Sequence, residues 1–147
     1  MGCKVMQTMD IKRPNSLISK IFNSAFNQGK LSIVDELVAP YAVTHTGRWG
    51  ATSSRTEIKK LIATFRTAFP DIHCSIEGGI KEDDKQATCW TMRGTHLGLY
   101  FGNRPTQRSI AVRGFFFARI EDSWIVENWI LIEELRILQQ LGIVPPL

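Results

Sequence analysis

The chain has few cysteines and no long apolar segment. Its three cysteines, Cys3, Cys74 and Cys89, form no CxxC pair, which argues against a disulfide framework and against a zinc knuckle. No run approaches the 18 apolar residues that a membrane-spanning helix needs. The N-terminal MGCKVMQTMD has no apolar core of the kind found in signal peptides. We therefore predict a cytoplasmic protein with free thiols and no membrane partner.

The signatures of several enzyme classes are also missing. The chain has no GxSxG element for a hydrolase nucleophile, and no GxGxxG or GxxxxGK loop for a dinucleotide or a phosphate. Its histidines, His45, His73 and His96, show none of the HxH, HxxxH or HExxH spacings of metal sites. We therefore expect neither a metal ion nor another cofactor.

Positive charge exceeds negative charge only slightly. Eighteen Lys and Arg residues against 14 Asp and Glu residues give a net charge of +4. The longest basic clusters are the pairs Lys12–Arg13 and Lys59–Lys60. A nucleic-acid-binding surface needs more basic residues gathered on one stripe, with aromatic residues among them. We therefore predict no nucleic-acid partner.

Helical spacing dominates the first half of the chain. Residues 1–13 show no clear periodicity and are predicted to be a flexible tail, which leaves 14–147 as one domain. The pair Asn15–Ser16 is a suitable N-cap for a first helix. The segments Ser32–Asp35 and Ser54–Glu57 have the capping-box pattern, which predicts the start of two more helices.

From Asp71 onward the pattern changes to the alternation of β-strands. It predicts strands over Gln86–His96, Arg108–Ile120 and Trp124–Glu133, and a short helix closes the chain. Helices followed by a long antiparallel meander indicate an α+β fold. Long, twisted strands can curl into a cone with an apolar interior, which is a suitable shape for a small-molecule site.

Alternation along the strands selects candidate residues for such an interior. Trp90, Met92 and His96 share one face of their strand, and Trp129 shares a face with Glu133. A carboxylate beside a Trp, away from water, would have a raised pKa and could serve as an acid or base. The alternatives stay open: Glu133 simply begins the last helix, and His96 bonds to nearby backbone at the end of its strand.

Four further positions give weaker signals. His45 lies in YAVTHTG, where a surface-loop histidine is the alternative to a site residue. Phe115 and Phe117 belong to the apolar run IAVRGFFFA and could add to an aromatic lining. Arg113 in the same run needs a carboxylate, a bound anion or exposure on the outer face of the sheet.

Six short segments together resemble one family. The chain looks like a SnoaL-like polyketide cyclase, a branch of the NTF2-like superfamily. The resemblance spans about residues 15–145 and implies a cone-shaped α+β barrel, with N-terminal helices packed on a curled antiparallel sheet. The segments are FNQGKLSIVDELVAPYAVTH (26–45), AFPDI (68–72), RGTHLG (93–98), GNRPTQR (102–108), IVENW (125–129) and LQQLG (138–142).

The resemblance also implies a chemistry. In the better-known members an aromatic polyketide ester closes a ring by an intramolecular aldol reaction, without metal or cofactor. An aspartate four residues after the Trp of the last-strand motif is the acid/base, and the His of the GTH motif assists it. In this chain Glu133 stands at the aspartate's position, and His96 is the GTH histidine. Glu in place of Asp keeps the carboxylate but extends it by one methylene.

Our first hypothesis is therefore a cofactor-independent cyclase or isomerase for a small carbonyl compound. The alternative is a non-catalytic NTF2-like module that binds a small molecule or dimerises. The resemblance also implies a homodimer or larger assembly through the outer face of the sheet. The catalytic candidates are Glu133 and His96, and the substrate-binding candidates are His45, Trp90, Met92, Phe115, Phe117 and Trp129.

Overall fold

The computed structural model describes residues 16–46 and 50–146, so the predicted tail lies outside the described residues. Its helices are α1 (Leu17–Lys20), which continues as a π-helix over Ile21–Phe26, then α2 (Ser32–Leu37), α3 (Ser54–Ala68) and α4 (Glu134–Gln140). Its strands are β1 (Val38–Thr46), β2 (Gly50–Ser53), β3 (His73–Glu82), β4 (Lys85–Thr95), β5 (Ser109–Glu121) and β6 (Trp124–Ile132).

The six strands form one sheet in the order β2-β1-β6-β5-β4-β3. The antiparallel meander from β3 to β6 is as predicted. The pairing of β1 was not predicted: it lies parallel to β6, which places His45 opposite Trp129. The sheet is curled but does not close into a barrel, and helices pack on one of its faces. The predicted α+β arrangement is confirmed.

The core lies between the helices and the face that they cover, here called the inner face. Trp90 of β4 is at its centre, with ring centroids 5.5 Å from Phe22 and 6.4 Å from Phe26. Gly114 of β5 makes room for this indole, because a Cβ there would lie 2.2 Å from a carbon of Trp90. A glycine in the middle of a strand is thus explained by close packing.

The helix starts confirm one of three capping predictions. Ser16 is the N-cap of α1, and its hydroxyl accepts a hydrogen bond from the Ser19 amide. The predicted starts of α2 and α3 are correct, since these helices begin at Ser32 and Ser54, but neither serine is the N-cap and the N-cap residues make no side-chain cap bond. For Ser54 the reason is burial, since its hydroxyl bonds to Thr44 instead.

Candidate functional site

Three of the predicted site residues lie on the inner face. Trp90, Met92 and His96 of the β4 region are buried, with at most 2% of each residue exposed. They point the same way, as the alternation predicted. Because the helices cover this face, these side chains belong to the packed core.

The other aromatic candidates lie on the opposite, outer face. His45 stacks on Trp129, with ring centroids 4.8 Å apart and planes 12° apart. Phe117 meets the same indole edge-on at 5.2 Å, and Phe115 is 57% exposed. The predicted aromatic lining that joined Trp90 to Trp129 is therefore wrong. Both faces of the strands carry apolar residues, so alternation could not select the inner one.

His96 fastens the turn that precedes β5. Its Nδ1 accepts a hydrogen bond from the Thr106 amide at 3.1 Å, and the Thr106 hydroxyl lies 3.0 Å from the same nitrogen. Its backbone exchanges bonds with Gln107 and Arg108. Because Nδ1 is an acceptor, the ring hydrogen is on Nε2. That nitrogen is buried and has no hydrogen-bond partner among the described residues.

Glu133 lies just after β6, and its carboxylate contacts β5. Its Oε2 accepts a hydrogen bond from the Arg113 amide at 2.8 Å. Its Oε1 is 3.4 Å from the Arg113 guanidinium and 3.9 Å from that of Arg136. The Arg113 amide is the main cause that lowers the pKa of Glu133, against a smaller opposing effect of desolvation.

The pKa of Glu133 is therefore shifted opposite to the predicted direction. The prediction assumed a carboxylate beside Trp129 and away from water, whereas a peptide N–H stabilises its ionised form. The alternative, in which Glu133 simply begins the last helix, is correct for the backbone of this residue but not for its side chain. Glu133 is the N-cap residue of α4, yet its carboxylate makes no bond to that helix's own amides.

Glu133 also lines a cleft of about 500 Å³, between α3 and the segment where β6 passes into α4. This volume is within the usual range for small-molecule sites. Exposed apolar residues line this cleft: Phe101 is 44% exposed and Leu135 is 51% exposed. Its apolar wall consists of Leu61, Phe101, Ile130, Leu131, Ile132 and Leu135.

The polar part of the cleft comes mostly from two helices. Glu57, Lys60 and Thr64 of α3 face Glu134 and Arg136 of α4 across it. Of the predicted site residues, Glu133 alone is among the described residues that line this cleft. Sequence reasoning placed α3 in the core and did not foresee that one side of it borders a site. The signal was present in the polar residues interleaved with its apolar stripe.

A buried polar network joins three of the elements near the cleft. The side chains of Thr44, Ser54 and Asn128 are fully buried and bond to one another at 2.6–2.9 Å. They join β1, the start of α3 and β6. The Asn128 amide donates to Ser54, and the Thr44 hydroxyl donates to the Asn128 carbonyl. An Asn on an otherwise apolar strand face was the only sequence signal for this network.

The Cys74 thiol and the possible metal ligands give no further candidate site in the described part of the chain. Burial raises the pKa of the Cys74 thiol to about 12, so it is not a nucleophile at neutral pH. Within residues 16–46 and 50–146, no three side chains of His, Cys, Asp or Glu are grouped to hold a metal ion. No helix in the same ranges is long and apolar enough to cross a membrane.

Comparison with known protein families shows the family to which the chain belongs. The model of the SnoaL-like polyketide cyclase family matches residues 16–141. The chain belongs to this family. No curated protein sequence matches it significantly.

Solved structures agree with this SnoaL-like assignment. The chain is similar to AclR of Streptomyces galilaeus, a candidate hydroxylase, with 26% identity, a TM-score of 0.81, and coverage of 96% of this chain and 86% of AclR. It is also similar to IdmH of Streptomyces antibioticus, a candidate polyketide cyclase, with 29% identity, a TM-score of 0.76, and coverage of 88% and 99%.

A more distant structure identifies the superfamily fold. A Catenulispora acidiphila protein with a ketosteroid isomerase-like fold has 15% identity, a TM-score of 0.71, and coverage of 87% of this chain and 93% of its own. The predicted NTF2-like architecture is thereby confirmed, with a curled, unclosed sheet in place of a full barrel.

Proposed function

We propose that this SnoaL-like protein is a cofactor-independent cyclase or isomerase that acts on a small carbonyl compound. One observation carries the proposal: Glu133, at the position of the family's catalytic aspartate, lines a mostly apolar cleft of about 500 Å³. A carboxylate at the wall of such a cleft can move a proton while apolar side chains hold the carbon skeleton.

The lowered pKa of Glu133 narrows the substrate class. The carboxylate is ionised at neutral pH and is a weak base. It therefore needs an acidic C–H bond, such as one on a carbon between two carbonyl groups. Glu133 would take that proton, and the resulting enolate carbon would attack a second carbonyl of the same molecule. The new alkoxide would then receive the proton back from Glu133, which leaves the enzyme unchanged.

His96 is the proposed second polar group. Because its Nδ1 is engaged by Thr106, Nε2–H is the group that remains to bond an enolate oxygen. The ring is fully buried and packs near Phe69 and Tyr100, so contact with a ligand requires its surroundings to move. We keep Trp90 and Met92 as support for this histidine, and His45, Trp129, Phe115 and Phe117 as candidates for contacts at the outer face.

The test is turnover of aromatic β-ketoesters of bicyclic size that carry a further ketone, followed by absorbance and by chromatographic separation of the ring-closed isomer, whose mass equals that of the substrate. Glu133→Gln keeps the shape but cannot accept the proton, so the rate should fall by about 10²–10⁴-fold. Glu133→Asp shortens the side chain by a methylene and should keep partial activity, since a displacement of about 1 Å can cost on the order of 10²-fold. Glu36→Gln, an exposed carboxylate on α2, should leave the rate unchanged. Equal rates for wild type and Glu133→Gln would refute the proposal.

The alternative is a non-catalytic ligand-binding or dimerisation module, and two observations favour it. The Glu133 carboxylate is already engaged by Arg113, and His96 is sealed in the core. On this alternative, apolar carbonyl compounds would bind without turnover, and Glu133→Gln would leave their dissociation constants unchanged. Binding measured by calorimetry beside the rate assay separates the two functions.

Assembly is a further part of the proposal. Phe115 and Leu131 pair across β5 and β6 on the outer face and are 57% and 62% exposed. Together with Phe117 and Trp129 they form an apolar patch of the kind that marks contact surfaces. We therefore keep the homodimer or larger assembly, and the cytoplasm as its location.

A further inference from the structure

The first residues of strand β5 extend beyond the end of the neighbouring strand β6. The last residue of β6, Ile132, pairs with Gly114. The part of β5 that precedes Gly114 continues to pair with β4 on one side, where Ala111 lies opposite Arg93. On its other side, the peptide groups of Ala111 and Arg113 would lack a strand partner. Such unpaired edges are usually covered in native proteins.

Side chains and backbone of the α4 region take the place of the missing strand. The Arg113 amide donates to Glu133 Oε2 at 2.8 Å, and the Glu133 amide donates to the Arg113 carbonyl at 3.1 Å. Two residues earlier on β5, the Ala111 amide donates to Gln140 Oε1 at 2.8 Å. Gln140 Nε2 donates back to the Ala111 carbonyl at 3.0 Å. Each peptide group thus gives and receives one bond, as in a strand ladder.

These bonds fasten α4 at both ends. Glu133 immediately precedes the helix, and Gln140 is its last residue. The helix has seven residues, about two turns, so a displacement of one end is transmitted to the other. Ile137 and Leu141 are buried and hold the helix on the core by packing. The helix can therefore remain folded without the Gln140 bonds but lose its exact position along β5.

We propose that Gln140 is a positioning residue for Glu133: its carboxamide holds α4 against Ala111 and thereby sets where the Glu133 carboxylate lies at the cleft. The catalytic consequence of this inference rests on the proposed function. The positioning of Glu133 by Gln140 does not depend on it. Gln140 itself does not line the cleft, whereas Glu133, Leu135 and Arg136 do.

The chain contains a matched control for this chemistry. Asn27 makes the same pair of bonds with Cys74 of the edge strand β3, two strands away from β5. Its Nδ2 donates to the Cys74 carbonyl at 2.9 Å, and its Oδ1 accepts from the Cys74 amide at 2.7 Å. Both carboxamides cover a strand edge, but Asn27 belongs to the α1 side of the protein and has no bond to α4.

The experiment is a pH titration of the Glu133 side-chain carboxyl by ¹³C NMR in wild type, Gln140→Met and Asn27→Leu. Each variant keeps about the same volume and removes both amide bonds. We expect Gln140→Met to raise the pKa of Glu133 toward its ordinary value, because the hydrogen bond from the Arg113 amide to the carboxylate would be weakened. Asn27→Leu should lower the melting temperature and leave that pKa unchanged.

Two results would overturn the inference. One is an unchanged Glu133 titration in Gln140→Met, and the other is an equal shift in both variants, which would indicate general loosening. If Gln140→Met does not fold, native-state hydrogen exchange of wild type decides: the Ala111 and Arg113 amides should open together, and separate opening free energies would contradict the coupling. None of these readouts uses a substrate, so they are independent of whether Glu133 proves catalytic. If it does, Gln140→Met should lower kcat more than it changes KM.

Discussion

On the inner face of the sheet, Trp90 and His96 are covered by helices, whereas on the outer face Trp129 and His45 stack on each other partly in solvent. The residue types are the same, but the surroundings differ. The inner pair packs against aromatic rings, Trp90 against Phe22 and His96 against Phe69. The outer pair has a charged neighbour, Glu127, whose carboxylate lies 2.8 Å from His45.

The comparison shows that aromatic content alone does not locate a site in this fold. The inner face stabilises the protein through close packing. The outer face offers a surface for another molecule. The cleft belongs to neither of these aromatic groups: it lies between α3 and the segment where β6 passes into α4.

The largest expected difference between the faces is in stability. Trp90→Ala should lower the free energy of unfolding by about 3–5 kcal/mol, because it leaves a cavity beside Phe22 and Phe26. Trp129→Ala, its counterpart on the outer face, should cost less, about 1–2 kcal/mol, because its side chain is already partly exposed. Urea denaturation measures both. Equal losses would contradict the assignment of the two faces.

A smaller loss is expected from the buried network near the cleft. Asn128→Ala leaves the hydroxyls of Thr44 and Ser54 without their amide partner. We expect a loss of about 2–3 kcal/mol, since a buried polar group without a partner costs about 1–3 kcal/mol. Glu127→Gln, one residue earlier and on the outer face, is the control and should cost less. If the control cost more, the network would not be the stabilising element.

The pH dependence of the unfolding free energy should report the contribution of Glu133 and not that of the inner face. Its folded pKa lies below the ordinary value of 4.5, so its contribution is full above that value and is lost as pH falls through the folded pKa. Glu133→Gln should therefore make the decline of the unfolding free energy between about pH 5 and pH 2 shallower. An acid decline as steep as in wild type would show that the Arg113 bond does not stabilise the ionised form. Asp71, whose pKa Thr95 lowers, would contribute to the remaining slope.

The smallest stability effect is expected on the outer apolar patch. Phe115→Ser and Leu131→Ser should each change the unfolding free energy of a monomer by about 0.5 kcal/mol or less, because both side chains are exposed. If the outer face joins two copies, the same variants should instead shift the sedimentation coefficient toward that of a 16.7 kDa monomer. A wild-type protein that sediments as a monomer at micromolar concentration would refute the predicted assembly.

Much of the fold could be predicted because the signals were local. The alternation of β4 to β6, the Ser16 cap and the closing helix each depend on neighbours in sequence. Less of the site could be predicted, because Glu133 was found by its position in a motif and not by its environment. Its bond to Arg113 joins residues twenty positions apart, and no periodicity reports such a contact.

Local patterns in the sequence established the order of the elements, the α+β class and the presence of a carboxylate, Glu133, just after the last strand. Helical and strand periodicity and turn residues are properties of short segments, so they can be read in order. Only the tertiary structure decided which face each strand buries, that β1 lies parallel to β6, and that a peptide N–H lowers the pKa of Glu133. The physical reason is that these outcomes depend on packing and electrostatics between distant segments, and both faces of the strands were apolar enough to be buried.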